Sequence, residues 1–541
     1  MSSKLLFESR RSPVLGTRGM VATSQPLAVA AGLKMLAGGG NAADAAVASA
    51  AALNVTDPTS TGIGGDCFAL FYEAKTRKIH ALNGSGRAPA ALTLERLSRE
   101  GFGEELPPYH PYTITVPGAC AGWCDLVAAF GQLDMPQVLA PAIHLADEGY
   151  PVAPLVAYAW AIGVQHQLAT ALNGHEMTID GRAPRTGELF RNPGLARTLT
   201  AVAAGGKKAF YEGEIATAVA NVIREAGGCL SEEDLANHSS TWETPISTQY
   251  RHLRLWECPP NGQGLAALLA LNILSGTDLA ALAPLSPERL HLQIEALRLA
   301  FADAHQFVAD PEFSPAPLQE LLSEGYAAQR RQLIDPQRAN PVRFPGRPQG
   351  SDTVYLSVVD AAGNACSLIN SNYMGFGTGI VPSGWGFTLQ NRGHNFTLQE
   401  GHPNALAPGK RPYHTIIPAM ITHADDDALF ASFGVMGGFM QPQGHMQVMI
   451  GLADDGLDPQ AALDRSRFYL LGGRPDAQVA LEEGMPRATM AALSGMGHEV
   501  VPVSGYDRGV FGRGHAIVRD RSSGVLCGGS DPRGDGCAMT L

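Results

Sequence analysis

A threonine that becomes the first residue of a chain brings two reactive groups together. One is its hydroxyl; the other is a free α-amine whose pKa of about 7.7–8.0 lies far below that of lysine. Such a residue carries its own general base beside its nucleophile. Thr353 has the setting this chemistry needs. It opens the run Thr353-Val-Tyr-Leu-Ser-Val-Val359, whose β-branched and aromatic residues predict a strand. It follows Asp352, at the end of a Pro- and Arg-rich stretch (340–351) that predicts an exposed, mobile segment where a chain is cut. The third requirement is a pair of backbone N–H groups for the oxyanion. Phe433-Gly-Val-Met-Gly437-Gly438 ends a predicted strand in two glycines, whose backbone freedom lets successive N–H groups converge on an anion. Taken singly, a Thr at the head of a strand is ordinary and a Gly-Gly turn is a weak signal.

The elements that must hold these groups are legible in outline. After the Thr353 strand comes a turn, Asp360-Ala-Ala-Gly-Asn364, and a second strand from Ala365 to Ser371. If Asp360 faces Ala365, Thr353 faces Asn372 and Ser371 is its near neighbour, a register open to a slip of one residue. Upstream, Pro26–Ala37 has helical periodicity and stops at Gly38-Gly39-Gly40. Asn41 then stands at an N-cap position before an Ala-rich helix running to Leu53, whose small side chains predict close packing on a sheet. Thr61-Gly62-Ile63-Gly64-Gly65-Asp66 predicts a tight turn, and Cys67–Tyr72 and Lys78–Leu82 a hairpin. His291–Val308 predicts an amphipathic helix.

Composition excludes several classes. The 541 residues are 45% hydrophobic with a net charge of −12, which supports a large core and argues against a nucleic-acid binder. No stretch approaches about 18 uninterrupted apolar residues, and the first residues lack a signal-peptide core, so no membrane span is expected and the reading is cytoplasmic. The 8 Cys lack metal spacing and read as reduced, buried thiols. His291, His305 and His445 also lack metal spacing and read as structural; no metal and no cofactor are expected. Gly62-x-Gly64-Gly65 lacks the Lys-Ser/Thr of a phosphate loop, which opposes an ATP-dependent ligase.

The order of the motifs is more specific than any one of them. Gly19-Met-Val-Ala-Thr-Ser-Gln-Pro-Leu-Ala28, Gly38-Gly-Gly-Asn-Ala-Ala-Asp-Ala-Ala46, Ser60-Thr-Gly-Ile-Gly-Gly65 and Thr115-Val-Pro-Gly118 come first. Pro259-Pro-Asn-Gly-Gln-Gly264, Ala300-Phe-Ala-Asp303 and Asp352-Thr-Val-Tyr-Leu-Ser-Val-Val-Asp360 follow. Phe376-Gly-Thr-Gly379, Gly437-Gly438 and Asp531-Pro-Arg-Gly-Asp-Gly536 close the set. Over nearly its whole length the chain resembles the γ-glutamyltransferase (glutathione hydrolase) family of N-terminal-nucleophile hydrolases. The resemblance implies a mixed α/β (α+β) fold, a four-layer αββα sandwich, made as a proenzyme. It implies self-cleavage between Asp352 and Thr353 into a large chain (1–352) and a small chain (353–541) that stay together as a heterodimer, further dimerisation being open. It places the nucleophile at Thr353, a supporting hydroxyl at Ser371 and the oxyanion donors at Gly437 and Gly438.

Against that family the substrate-gripping positions depart. An Asn of typical members falls on Tyr373, a Gln on Arg392, and the Asp that pairs with a substrate α-ammonium on Asn395. A Ser-Ser pair that holds the α-carboxylate falls on His414-Thr415. The carboxylate-binding Arg falls on Ser85, with Arg87 two residues on as a substitute. Asn for Asp removes a charge where an ammonium would bind, and Arg392 adds a planar fork suited to a carboxylate. The expected substrate is therefore a small amide with a carboxylate-bearing acyl group. The stretch between Phe396 and Pro412 is short for a lid, which favours water as acceptor over transpeptidation. Glutathione hydrolase, cephalosporin- or glutaryl-acylase and oxamate-type amidohydrolase activities stand as alternatives, as does an inactive binding scaffold.

Overall fold

The computed structural model describes residues 11–340 and 352–541. The cuttable segment expected at 340–351 therefore lies, beyond Asn340, outside the described residues. The core is two seven-stranded antiparallel sheets packed face to face with helices on both outer sides, the αββα arrangement. One sheet runs Cys537–Thr540, Gly19–Thr23, Asp352–Asp360, Ala365–Tyr373, Asp66–Glu73, Lys78–Gly84, Thr241–Glu243. The other runs Val14–Gly16, Leu526–Ser530, Arg513–Arg519, Leu429–Met436, Ala419–His423, Leu253–Glu257, Ile246–Tyr250. Both sheets take strands from before and after residue 352, so the two parts of the chain are interleaved.

The first helices form where the sequence places them. Pro26–Ala37 ends at Gly38. Asn41 caps Ala42–Thr56 reciprocally: its side chain accepts from the amides of Ala43 and Asp44, and the Asp44 carboxylate accepts from the Asn41 amide. Every residue of this Ala-rich helix is buried, because it lies between the sheet that carries Thr353 and the helices outside it. The long helix runs Pro287–Phe307, starting earlier than its periodicity suggests, since Ser286 caps it and Pro287 fills a first-turn position. It packs with Gly264–Ser275 and Met440–Ala453 over the second sheet. Among the described residues no helix is long and apolar enough to cross a membrane.

The Gly turn before Asp66 is required by close approach. A Cβ at Gly64 would stand 2.1 Å from the Thr388 carbonyl oxygen, and one at Gly65 2.3 Å from that of Ser371. The turn thus presses directly on the strand that carries Ser371, and no other residue fits.

Candidate active site

Thr353 lies at the second position of the Asp352–Asp360 strand and is fully buried. Its hairpin with Ala365–Tyr373 keeps one register from Val359↔Ala365 to Val354↔Asn370, then shifts at a bulge so that Asp352 pairs with Tyr373. The expected pairing was one residue off along this strand. The cause is the turn: Asp360 closes it by donating its amide to the Asn364 carbonyl, with Gly363 left-handed at φ 86°. The bulge lies on the Ala365–Tyr373 strand, where Ser371 and Asn372 together stand opposite the single residue Thr353. Thr353 Oγ1 donates to Ser371 Oγ at 3.2 Å.

Ser371 Oγ accepts two further bonds, from the Tyr373 amide at 2.8 Å and from Arg392 Nη2 at 3.2 Å. Arg392 Nη1 donates to Thr415 Oγ1 at 2.7 Å. A chain of contacts therefore runs from the hydroxyl of Thr353 through Ser371 to a guanidinium. That guanidinium is fully buried and lies under the Tyr373 ring, 4.4 Å from its centroid. Burial pushes Arg392 down to about 10, which leaves it charged at neutral pH, with Asp66 the chief favourable charge. Among the described residues it has no carboxylate within ion-pair distance, and its Nε has no hydrogen-bond partner. A buried, unpaired cation is costly and suits an anionic ligand. Tyr373 is held at φ 81°, a left-handed conformation that bulky residues rarely adopt and that clusters at functional sites.

The glycine pair follows the last residue of the Leu429–Met436 strand in the facing sheet. Across the sheet interface Ser357 Oγ donates to Ser432 Oγ at 2.7 Å, and a Cβ at Gly434 would overlap the Tyr355 ring. These facing pairs run in opposite chain directions. The same progression puts Thr353 opposite Met436, the last residue of its strand, with Gly437 (φ 124°) and Gly438 (φ 59°) next. Among the described residues neither glycine N–H has an acceptor. The Gly438 carbonyl is tied by Gln263 Nε2 at 2.9 Å, and the same nitrogen reaches the Thr415 carbonyl at 2.6 Å.

The other expected substrate residues lie apart in role. Both ring nitrogens of His414 are used: Nε2 donates to Asp66 Oδ2 at 3.0 Å and Nδ1 accepts from the Ile416 amide at 3.3 Å. Burial, with Arg392 adding to it, pushes His414 down to about 3, so it is neutral. Asn395 Nδ2 donates to the Tyr413 carbonyl at 3.0 Å. Arg87 is partly exposed and pairs with Glu312 at 3.2 Å.

Two residues of the site were not singled out in the sequence. Asp66 is fully buried, and its Oδ1 accepts from the amides of Gly86 and Gly118 and from Gln390 Nε2, all within 3.2 Å. It pairs in register with Ser371, a place fixed only by the strand pairing. Gln263 lies inside the Pro259–Gly264 motif, but the two carbonyls it grips lie 152 and 175 positions on and leave no local signal.

Residues 28–541 match the family model described as gamma-glutamyltranspeptidase. The chain is 36% identical to the glutathione hydrolase-like YwrD proenzyme of Bacillus subtilis (strain 168), over 98% of this chain and 99% of that protein. It is 33% identical to the oxamate amidohydrolase proenzyme of Klebsiella pneumoniae, covering 97% and 98%. Among solved structures, a cephalosporin acylase from Bacillus halodurans superposes with a TM-score of 0.92 at 46% identity, covering 100% of this chain and 99% of that one.

Proposed function

The chain belongs to the gamma-glutamyltranspeptidase family, and from that premise we propose that it is a self-processing amidohydrolase whose nucleophile is Thr353. In the first step the Thr353 hydroxyl attacks the Asp352 carbonyl. The C–N bond of that peptide breaks, the acyl group passes to Oγ as an ester, and the nitrogen takes the proton to become the Thr353 amine. Water then hydrolyses the ester, leaving a large chain ending at Asp352 and a small chain beginning at Thr353. The interleaving of strands in both sheets keeps the two together.

The processed enzyme repeats this chemistry on a substrate. The Thr353 amine, with its pKa near 8, takes the hydroxyl proton as Oγ adds to the amide carbon. The N–H groups of Gly437 and Gly438 receive the oxyanion, and Ser371 holds the hydroxyl in line. The amine product leaves with the proton. Water, activated by the same α-amine, releases the acid and restores Thr353. Ser371 is a poor base here, since a guanidinium donates to its oxygen and disfavours any further gain of a proton.

The observation that carries the proposal is the placement of Thr353: buried at a bulge, its hydroxyl on Ser371, opposite a glycine turn with two unengaged amides. The test is the intact mass of protein incubated at neutral pH beside Thr353→Ala. Two fragments meeting between Asp352 and Thr353, with the variant whole, is the expected result. A wild-type chain that never divides would leave an inactive scaffold as the better reading.

Arg392 favours an acyl group with a terminal carboxylate, since it is the buried cation nearest the nucleophile's contacts and lacks a carboxylate of its own. Glutathione and oxamate both bear a carboxylate, so the oxamate relative fits as well as the glutathione hydrolase-like one, and an acylase activity fits where the acyl chain ends in a carboxylate. With Asn395 turned to a backbone carbonyl, nothing at that position supplies the negative charge an α-ammonium would need. Hydrolysis over transpeptidation follows from the short segment after Phe396, which is tied down by the Thr397↔Ala405 bridge and by Asn404.

A further inference from the structure

Away from Thr353, three ligand-type side chains meet in the interior. His291 and Glu295 stand one turn apart on the Pro287–Phe307 helix, and His498 comes from the loop after the Arg487–Gly495 helix. All three are buried, at 0%, 2% and 3% exposure, and their ligand atoms lie within 4.8 Å of one another. We propose that His291, Glu295 and His498 form a structural Zn2+ site joining the part of the chain before Thr353 to the part after it.

The donor set is that of zinc: two imidazole nitrogens and one carboxylate, with a fourth position for water. The tautomers fit. His291 Nε2 faces the Asp335 carbonyl at 2.7 Å and so carries its proton there, which leaves Nδ1 as a lone pair and supplies the outer hydrogen bond that orients a metal-binding histidine. Nδ1 faces His498 Nε2 at 2.8 Å. Two nitrogens on one tetrahedral Zn2+ are about 3.3 Å apart, so the rings need part by only about half an ångström. His498 then carries its proton on Nδ1.

The polar groups are incompletely satisfied as they stand. Among the described residues Glu295 Oε1 accepts no hydrogen bond, although Arg298 Nε lies 3.3 Å from it. An unsatisfied buried carboxylate oxygen beside a histidine lone pair marks a place for an ion or water. Arg298 opposes a cation, but it is already half of an ion pair with Glu295, and Glu295 can bridge it and the metal.

The position gives the site its use. Glu295 Oε2 accepts from the Asn340 amide at 3.0 Å, and the Ala339 amide donates to the Met496 carbonyl at 2.8 Å. The site therefore clasps residues 339 and 340, near the end of the proposed large chain, to the segment bearing His498. Metal binding itself does not depend on cleavage. No metal spacing surrounds His291 in the sequence, since its histidine partner lies 207 positions on.

The test uses the full protein, stripped with a chelator, desalted, and exposed to excess ZnCl2 before gel filtration and metal analysis. About one equivalent retained per chain is expected, with loss of that equivalent in His498→Gln and in Glu295→Gln. Co2+ in place of Zn2+ should give the strong visible absorption of a tetrahedral centre in the wild type, a readout that needs no variant to fold. Wild-type protein that retains no metal and gives no such spectrum would reduce the cluster to a hydrogen-bonded histidine pair. Variants that retain as much metal as wild type would move the binding elsewhere.

Discussion

Arg392 donates both to Ser371, beside Thr353, and to Thr415, and under the proposed function it has two roles, orienting Ser371 and gripping a substrate carboxylate, which a substitution separates. If the guanidinium grips a substrate carboxylate, Arg392→Gln removes a charge-assisted pair worth about 1.5–3 kcal/mol, or roughly 10- to 100-fold in kcat/KM. The loss should fall on a glutaryl-anilide and spare an acyl-anilide of equal length without the carboxylate. Equal losses on both substrates would mean that Arg392 acts only by orienting Ser371. At this scale the sequence was informative where a residue's chemistry is its own. Thr353 and the two glycines were singled out from what a nucleophile and an oxyanion require, and the structure buries Thr353 with its hydroxyl on Ser371. His414 was expected to face the substrate, and its ring is instead consumed by Asp66 and the Ile416 amide. That exchange depends on a partner 348 positions away, which no local pattern encodes.

At the scale of elements, the Gly turn after Leu429–Met436 is held from outside. Gly512 lies behind it at φ 72°, and a Cβ there would come within 2.1 Å of the Met436 carbonyl oxygen. That carbonyl belongs to the same peptide plane as the Gly437 N–H. Gly512→Ala must therefore tilt the plane and turn the proposed oxyanion donor away. The expected effect is a fall in kcat of about 100- to 1000-fold with KM little changed, the cost of one lost oxyanion donor, in protein that keeps its far-ultraviolet spectrum. Unchanged kcat in folded protein would remove Gly437 from the oxyanion role. The helices and the Thr353 hairpin were legible because caps, glycine stops and β-branched runs are local signals. The bulge was not, since it arises where the turn's register meets the Asp352↔Tyr373 pair. The three-stranded sheet of Phe468–Leu470, Val479–Glu482 and Val500–Val503 also passed unread, its strands being too short to show alternation.

For the molecule as a whole, the interface between the two sheets sets an acid limit on stability. His515 projects from the Arg513–Arg519 strand into that interface, stacked at 10° against Tyr355 and 1% exposed, and among the described residues neither ring nitrogen has a partner. Burial pushes it down to about 3, and the same cause holds His414 at about 3. An unfolded histidine titrates near 6.5. Above that pH both states are neutral at these sites and they add no pH dependence. Below it the unfolded chain takes up protons that the folded chain refuses, so stability is lost progressively as the pH falls from about 6.5 towards 3. Each group contributes a slope of about 1.4 kcal/mol per pH unit within that window. His515→Leu removes one of them without breaking a hydrogen bond. Thermal midpoints measured from pH 7.5 to 5 should fall less steeply in the variant than in the wild type, and at pH 7.5 the variant should be no less stable. Parallel curves would mean that His515 protonates within the fold, and that the sheets part there well before the molecule unfolds.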